Sequence, residues 1–267
     1  KKPELVIKKV IRSSLSDLTC KGVIPKYYFI SASGNKKTFS KYNLKKISKS
    51  LKQEQDKFDI NLCGGDTVSS NKTSFTIVVV GFSKKIVFRN KAKLNDDIYV
   101  TGNLGDSYVG LKILKKEINI KNKLKKYFVS KYFLPDIHLN LAKKLVNFAN
   151  SSIDISDGLI ADLEKLINNQ KLSYKLYLNN IPISKSLSKT LNLKRLKKLS
   201  FISKGDDYQV LFTASPDKSR IIIKISQSLG LKISKIGKIN TYNQKSQIID
   251  QKGKKIALKH KGYYHRF

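Results

Sequence analysis

Hydrophobic and polar positions along the chain change their spacing many times, and each change marks a predicted element. In residues 5–18 and 44–51, apolar side chains recur three or four positions apart, as in a helix with one buried face. Further helices are predicted at residues 106–114, 135–148, 157–167 and 217–229. Short apolar runs, which are typical of strands, occur at residues 27–33, 58–67, 74–82, 97–102, 151–156, 173–178, 207–215 and 232–239.

Several local signals refine these elements. The run 58–67, "FDINLCGGDT", predicts a strand that ends in a glycine turn, and "SFTIVVVGF" at 74–82 predicts a buried strand. Asp106 is predicted to cap its helix, Pro135 to lie near the first turn of the next helix, and Gly230 to close the helix at 217–229.

The regular alternation of helices and strands predicts an α/β fold built in layers. Between Lys91 and Asp97 the sequence becomes polar, which is typical of a domain boundary. We therefore expect one domain over residues 1–92 and a second over 93–267.

The charge of the chain is strongly positive. There are 54 basic and 19 acidic residues among 267, a formal net charge of +35. Such a balance permits a nucleic-acid-binding module. However, the lysines are spread along the whole chain, and Lys, Asn and Ile are abundant together, as in an A/T-rich coding sequence. This pattern favours a general surface bias, and we expect no specific nucleic-acid partner.

The sequence also bears on location. No apolar run is long enough for a membrane helix, and the first residues do not resemble a signal peptide. The two cysteines, Cys20 and Cys63, have no neighbours at zinc-binding spacing, so both are expected to be small buried hydrophobic residues in a reducing compartment. A cytoplasmic protein without a membrane partner is the prediction.

Acidic residues are rare in this chain, and their positions suggest a site. Asp66 follows the predicted Gly64–Gly65 turn, where backbone N–H groups could approach a phosphate closely. In "IDISDG", Asp154 and Ser156 project from one face of a strand, and Asp157 lies at the start of the next helix. Carboxylates beside phosphate-binding backbone are what a Mg²⁺–nucleotide site requires.

Each acid also has a structural interpretation. Asp66 could be an ordinary turn residue, and Asp157 could be a helix cap. The chain has no P-loop sequence, and its three histidines show no spacing typical of a metal site or a catalytic triad.

Six motifs, in order, resemble the thiamine-monophosphate kinase family, which shares its fold with aminoimidazole ribonucleotide synthetase. They are "SDLTCKG" (16–22), "CGGDT" (63–67), "DDIYVTGNLGDSYVGL" (96–111), "IDISDGL" (153–159), "GDDYQVLF" (205–212) and "KGYYHRF" (261–267). The resemblance implies a two-domain aminoimidazole ribonucleotide synthetase-like fold. Its N-terminal domain would bind ATP and metal and form the homodimer. The implied activity is that of an ATP-dependent phosphotransferase with a phosphate acceptor, which converts thiamine monophosphate to thiamine diphosphate.

The resemblance also implies roles for individual residues. Asp17, Asp66, Asp154 and Asp157 would be Mg²⁺ ligands. ATP would be bound by Gly65, Asp66, Arg89 and Ser156. Thiamine monophosphate would contact Asp206 and Tyr263, the latter through the π-face of its ring.

The chain departs from the family pattern in three ways. In the tail, "GYYHRF" stands where the family usually has an acid after the aromatic residue. Asp206 is one methylene shorter than the glutamate usual in the family, so its substrate contact is expected to be weaker or bridged by water. The family's first, acid-rich segment has no counterpart here, and the chain contains no Met. On this basis we expect a truncated N-terminal domain and poor activity. Comparing ATP turnover with that of a chain extended upstream tests this, and equal rates would refute it.

Two alternatives stay open from the sequence. Another ATP-dependent enzyme of the same fold, such as the synthetase or a selenophosphate- or hydrogenase-maturation-type enzyme, would use a different acceptor. A nucleic-acid-binding module would bind duplexes with a steep dependence on salt, and substitution of Asp66 and Asp154 would not affect that binding.

Overall fold

The computed structural model, which describes residues 2–257 and 262–263, contains two β-sheets. The first part of the chain forms α1 (Pro3–Thr19), β1 (Ile24–Gly34), α2 (Lys41–Phe58), β2 (Asn61–Ser69) and β3 (Ser74–Phe82). These strands make a three-stranded sheet in the order β2-β1-β3, with β1 parallel to β2 and antiparallel to β3.

Helices α1 and α2 cover one face of this small sheet. Ile7, Ile11 and Leu15 of α1 pack in one cluster with Tyr28 of β1 and Phe58 of α2. The opposite face is open. Strand β3 alternates between partly buried and exposed residues, so the expectation that it would be buried throughout is wrong. A sheet covered by helices on one face only must alternate in this way.

The glycine turn expected after Cys63 is also absent. Strand β2 continues through Gly64 and Gly65 to Ser69. The register with β1 shifts by one residue between Tyr28 and Phe29, so Cys63 is the extra residue of a β-bulge. Gly64 has a φ of 155°, and a Cβ on Gly65 would lie 1.7 Å from the Ile30 carbonyl oxygen. The two glycines are therefore explained by the bulge and by close packing of two strands.

The remaining elements surround a seven-stranded sheet in the order β10-β9-β6-β8-β4-β7-β5. Its strands are β4 (Asp97–Thr101), β5 (Ser151–Asp154), β6 (Leu172–Tyr177), β7 (Val210–Ala214), β8 (Ile233–Thr241), β9 (Gln247–Ile249) and β10 (Lys255–Ile256). The helices are α3 (Asp106–Leu114), α4 (Asn122–Phe133), α5 (Leu139–Leu145), α6 (Leu159–Leu166), α7 (Lys185–Leu193), α8 (Leu199–Ile202) and α9 (Ser219–Leu229). Two 3₁₀ turns occur at Leu178–Asn180 and Pro216–Lys218.

Both faces of the larger sheet are buried. Ile98 and Val100 of β4 pack in one cluster with residues of α6, while Tyr99 between them packs in another with residues of α5 and α9. This is the two-residue period of a strand with a core on each side. The α/β layering expected from the sequence is confirmed.

Most helices and strands lie where the sequence predicts them, with differences at the ends. The helix expected from Pro135 begins only at Leu139 and ends before Phe148. Helix α3 begins at Asp106 as expected, but its N-cap is Gly105, and the Asp106 side chain accepts hydrogen bonds from Tyr127 and Ser184 instead of capping. Helices α4, α7 and α8 and strands β9 and β10 were not predicted, and Cys63 is exposed, contrary to expectation.

Helix α1 packs on the small sheet and also contacts the part of the chain that forms the larger sheet. The Arg12 guanidinium binds Glu54 of α2 through two nitrogens, at 2.7 and 3.0 Å, and donates a third hydrogen bond to the Pro135 carbonyl at 3.2 Å. Both ionised side chains are buried, so each compensates a charge that would otherwise be buried without a partner. Within the described part of the chain, no helix combines the length and the apolar character needed to cross a membrane.

The partly buried imidazole of His138 makes the stability of the fold depend on pH. Its Nε2 lies 2.9 Å from Gln209 Oε1, and burial lowers the pKa of this imidazole below 6.5. Between pH 7 and 5.5 the unfolded chain binds a proton there that the folded protein resists, so acidification destabilises the fold through this group. We expect wild type to lose about 1 kcal/mol more stability than His138→Gln between pH 7.5 and 5.5, measured by urea unfolding. Parallel pH dependences would contradict this.

Candidate functional site

The centre of the candidate site is Asp154, the last residue of β5. Its side chain is only 4% exposed, and Ser16 of α1 donates a hydrogen bond to Oδ2 at 2.6 Å. Burial, reinforced by the charge of Asp17, raises the pKa of Asp154 to about 7. Asp17 and Asp154 are 137 positions apart in sequence but close enough in space for the charge of Asp17 to disfavour ionisation of Asp154.

Two basic side chains accompany this acidic pair. Lys21 Nζ donates to the Ser152 carbonyl at 2.6 Å and lies near both carboxylates. Partial desolvation raises the pKa of Asp17, and the charges of Lys21 and Arg89 counteract the effect. Arg89 is exposed, so its guanidinium is accessible to a phosphate. The structure thus brings three predicted site residues together, Asp17, Asp154 and Arg89.

Asp157 is held by an ion-pair network. Lys165 donates hydrogen bonds to Asp157 Oδ2 and, at 2.9 Å, to Asp162 Oδ1. The Asp162 carboxylate is fully buried and also accepts the backbone N–H groups of Asp157 and Gly158, at 2.8 and 3.0 Å. Asp162 therefore fixes the loop that precedes α6, and Asp157 is paired with Lys165.

The Asp206 loop is joined to this same segment through backbone contacts. Asp206 donates its N–H to the Ser156 carbonyl, and Tyr208 donates its N–H to the Ile155 carbonyl, both at 2.8 Å. A Cβ on Gly205 would lie 1.7 Å from the Ser156 carbonyl oxygen, so only glycine permits this approach. Ser156 and Asp206, predicted for ATP and for substrate, are therefore adjacent.

Tyr263 also reaches this region. It donates its backbone N–H to the Asp157 carbonyl at 2.9 Å, and its side chain is 60% exposed. Most of the surrounding "KGYYHRF" motif lies outside the described residues. The backbone of Tyr263 is therefore adjacent to the Asp157 loop.

Gly65 and Asp66 lie on β2, a strand of the three-stranded sheet. Both are exposed on β2, and Asp66 Oδ1 accepts the N–H of its neighbour Thr67, at 2.7 Å. Over residues 2–257 and 262–263, no hydrogen bond or ion pair joins Asp66 to Asp17 or Asp154. In the same residues no group of three or more His, Cys, Asp and Glu side chains is arranged to hold a metal ion.

The pair of Asp17 and Asp154 nevertheless fits a magnesium ion. The two carboxylates supply hard oxygen donors, and a divalent cation would relieve the cost of ionising Asp154, which burial and the charge of Asp17 impose. Mg²⁺ in nucleotide sites typically takes one or two protein carboxylates and completes its shell with phosphate oxygens and water. A third protein ligand is not required for this chemistry.

Sequence reasoning missed several residues that shape the site: Lys9, Ser16, Lys21, Asp162 and Lys165. Asp162 and Lys165 had a usable signal, because they stand three apart on the predicted helix after "IDISDG". Ser16 is the first residue of the "SDLTCKG" motif. Lys9 and Lys21 carried no signal of their own among 54 basic residues.

Comparisons with known proteins identify relatives of this chain. A family profile described as AIR synthase related protein, N-terminal domain, matches residues 1–83. The thiamine-monophosphate kinase of Buchnera aphidicola from Schizaphis graminum is 37% identical over 98% of this chain and 81% of its own. The crystal structure of thiamine monophosphate kinase from Aquifex aeolicus has a TM-score of 0.83 at 25% identity, over 96% of this chain and 83% of that one. A structure of AaThiL complexed with AMPPCP and TMP has a TM-score of 0.84 at 24% identity, over 99% and 82%.

Proposed function

Since this chain belongs to the thiamine-monophosphate kinase family, we propose how its own residues carry out that family's reaction. The chain is an ATP-dependent phosphotransferase that transfers the γ-phosphoryl group of ATP to thiamine monophosphate, giving thiamine diphosphate and ADP. The observation that carries the assignment of its site is the buried Asp154 beside Asp17, held by Ser16 at the end of β5.

The reaction brings two polyanions together, and the residues of the site address that barrier. Two unit charges 4 Å apart repel by roughly 4 kcal/mol at an effective dielectric constant of 20. Asp17 and Asp154 would hold Mg²⁺, which would supply positive charge to offset this repulsion. We assign Asp66 and Asp157 as further ligands. Binding there would require Lys165 to release Asp157, because the two side chains are paired.

The nucleotide is assigned to the surface around Ser156, Arg89 and the strand residues Gly65 and Asp66. Arg89 is exposed near Asp17, where it can contact a phosphate that approaches the metal. The acceptor phosphate is ionised at neutral pH, so it attacks without a general base. Accordingly, no histidine among the described residues touches the acidic pair.

Thiamine monophosphate is assigned to the neighbouring side of the same loop, against Asp206 and Tyr263. The backbone N–H of Asp206 donates a hydrogen bond to the Ser156 carbonyl, so the proposed substrate residue and the proposed nucleotide residue are in contact.

Release of ADP should depend on thiamine monophosphate and should be absent with aminoimidazole-type or selenide acceptors. Turnover with those acceptors but not with thiamine monophosphate would favour another enzyme of the fold. Tight, activity-independent duplex binding at physiological salt would favour the nucleic-acid alternative.

We also propose a homodimer that forms through the open face of the three-stranded sheet. Exposed apolar side chains line this face: Tyr27, Phe29, Val68, Val78, Val80 and Phe82. Monomeric proteins rarely expose so continuous an apolar surface. A second copy of the same sheet could bury it, because a two-fold axis pairs identical surfaces.

A lysine in the middle of this face tests the dimer. Val78 is 56% exposed on β3, and we expect Val78→Lys to raise the dimer dissociation constant by roughly a hundredfold, because two charges would be buried together. Sedimentation velocity over a concentration series measures this. Ile223→Lys, on an exposed position of α9, is the matched control and should leave the constant unchanged. Equal constants for both variants would place the interface elsewhere.

The division into domains at residues 1–92 and 93–267 remains our proposal, supported by the separate sheets on either side of this boundary. A cytoplasmic location is likewise proposed. Cys20 and Cys63 are free, as is usual in a reducing compartment.

A further inference from the structure

Lys9 of α1 lies in a cluster of acidic and aromatic groups beside Asp206. Its Nζ contacts Asp206 Oδ1 at 2.6 Å and the Tyr132 carbonyl oxygen at 3.1 Å. The same nitrogen stands 3.5 Å from the centroid of the Tyr132 ring and 5.6 Å from that of Tyr208. Only 15% of the Lys9 side chain is exposed. Each of these contacts is favourable for an ammonium ion, and together they hold it in one place.

Asp206 needs such a partner. Its backbone has a φ of 70°, which is uncommon for a residue with a side chain, and the buried Asp207 carboxylate follows it directly. The other side-chain contact of the Asp206 carboxylate is a hydrogen bond of 3.3 Å from the Tyr208 hydroxyl. Lys9 therefore provides the strongest constraint on the direction of this carboxylate and compensates its charge.

Helix α1 extends this constraint to the acidic pair. Lys9 and Ser16 are seven residues apart, two helical turns, and so project from the same side of the helix about 10 Å from each other. Lys9 holds Asp206, and Ser16 holds Asp154. One rigid helix thus sets the separation between the proposed substrate residue and the proposed metal residue.

We propose that Lys9 is a positioning residue for the thiamine moiety: it holds Asp206 in the orientation in which that carboxylate contacts the substrate. This role rests on the proposed assignment of Asp206 to substrate binding. It predicts that Lys9 affects the affinity for thiamine monophosphate and not the affinity for ATP.

The test is Lys9→Met, which keeps the length of the side chain and removes its charge. We expect the Kd for thiamine monophosphate, measured by calorimetry, and its KM to rise about tenfold, with the KM for ATP unchanged and kcat within about threefold of wild type. Lys8→Met is the matched control, since Lys8 contacts Gln53 and Glu54 instead of Asp206. In an Asp206→Asn background, Lys9→Met should add less than a twofold effect, because the two residues act together.

The outcomes are distinguishable. Wild-type affinity for thiamine monophosphate in Lys9→Met would overturn the role of Lys9 alone, and so would additive effects with Asp206→Asn. Tighter binding of thiamine monophosphate to Lys9→Met would also overturn it. Lys9 would then compete with the thiazolium cation for Asp206 and the neighbouring tyrosine rings. Parallel losses for both substrates with a lower Tm would indicate a purely structural role. A wild-type chain that binds no thiamine monophosphate would instead overturn the proposed function.

Discussion

Asp154→Asn is expected to lower kcat by about a thousandfold and, at the same time, to make the ligand-free protein more stable. Asparagine has the shape of aspartate but cannot neutralise a cation. The stability should rise because burial and the neighbouring Asp17 disfavour the Asp154 carboxylate in the folded state. With the pKa raised from 3.8 to about 7, the ionised form costs roughly 4 kcal/mol.

The direction of the pH effect distinguishes this explanation from a general change in packing. Below pH 3.8 both folded and unfolded chains hold the proton, and the carboxylate costs nothing. As pH rises towards 7 the unfolded chain loses its proton first, so wild-type stability falls. Asp154→Asn should therefore be more stable than wild type by about 1–3 kcal/mol at pH 8, after the cost of placing a buried amide, and by almost nothing near pH 4.

Urea unfolding at both pH values and a coupled ADP-release assay measure the two effects. The control is Asp56→Asn, which removes an exposed carboxylate paired with Lys52 on the surface of α2. It should change neither activity nor stability appreciably. Retention of more than a tenth of wild-type kcat in Asp154→Asn would contradict the assignment of Asp154 to the phosphate chemistry.

Gly205→Ala should reduce activity by about a hundredfold and the free energy of unfolding by about 3 kcal/mol. The added methyl group would lie 1.7 Å from the Ser156 carbonyl oxygen and 2.9 Å from the Asp157 Cα, and backbone cannot move aside as a flexible side chain can. The Asp206 and "IDISDG" loops would have to separate. Their hydrogen bond from Asp206 N to Ser156 O would then lengthen or break.

The matched control for this variant is Gly230→Ala. Gly230 closes α9 with a φ of 56°, and no atom lies within 4 Å of its added Cβ. It should lose roughly 1 kcal/mol through backbone strain alone and keep wild-type activity. If Gly205→Ala behaved like Gly230→Ala, the contact between the two loops would not position the site.

The "IDISDG" segment shows how much of the fold and of the candidate site can be predicted from local sequence. Its apolar residues predict a buried strand and helix, and the acids between them predict a ligand site at their junction. Family membership and the α/β fold class were correctly predicted from such motifs. The same reasoning misread Gly64–Gly65, because a glycine pair in a strand has the same local signal whether it makes a turn or, as here, a bulge against β1.

The sequence by itself determined the family, the α/β class and the order of most helices and strands, and it supplied the acids around which we propose a phosphate site. Periodicity carries this information, because one residue every two or 3.6 positions must face the core wherever the chain goes. Only the tertiary structure decided that Lys9 faces Asp206, that Ser16 meets Asp154, and that one face of the small sheet is open. These contacts join residues far apart in the chain. Nothing in the local sequence distinguishes Lys9 from the other 53 basic residues.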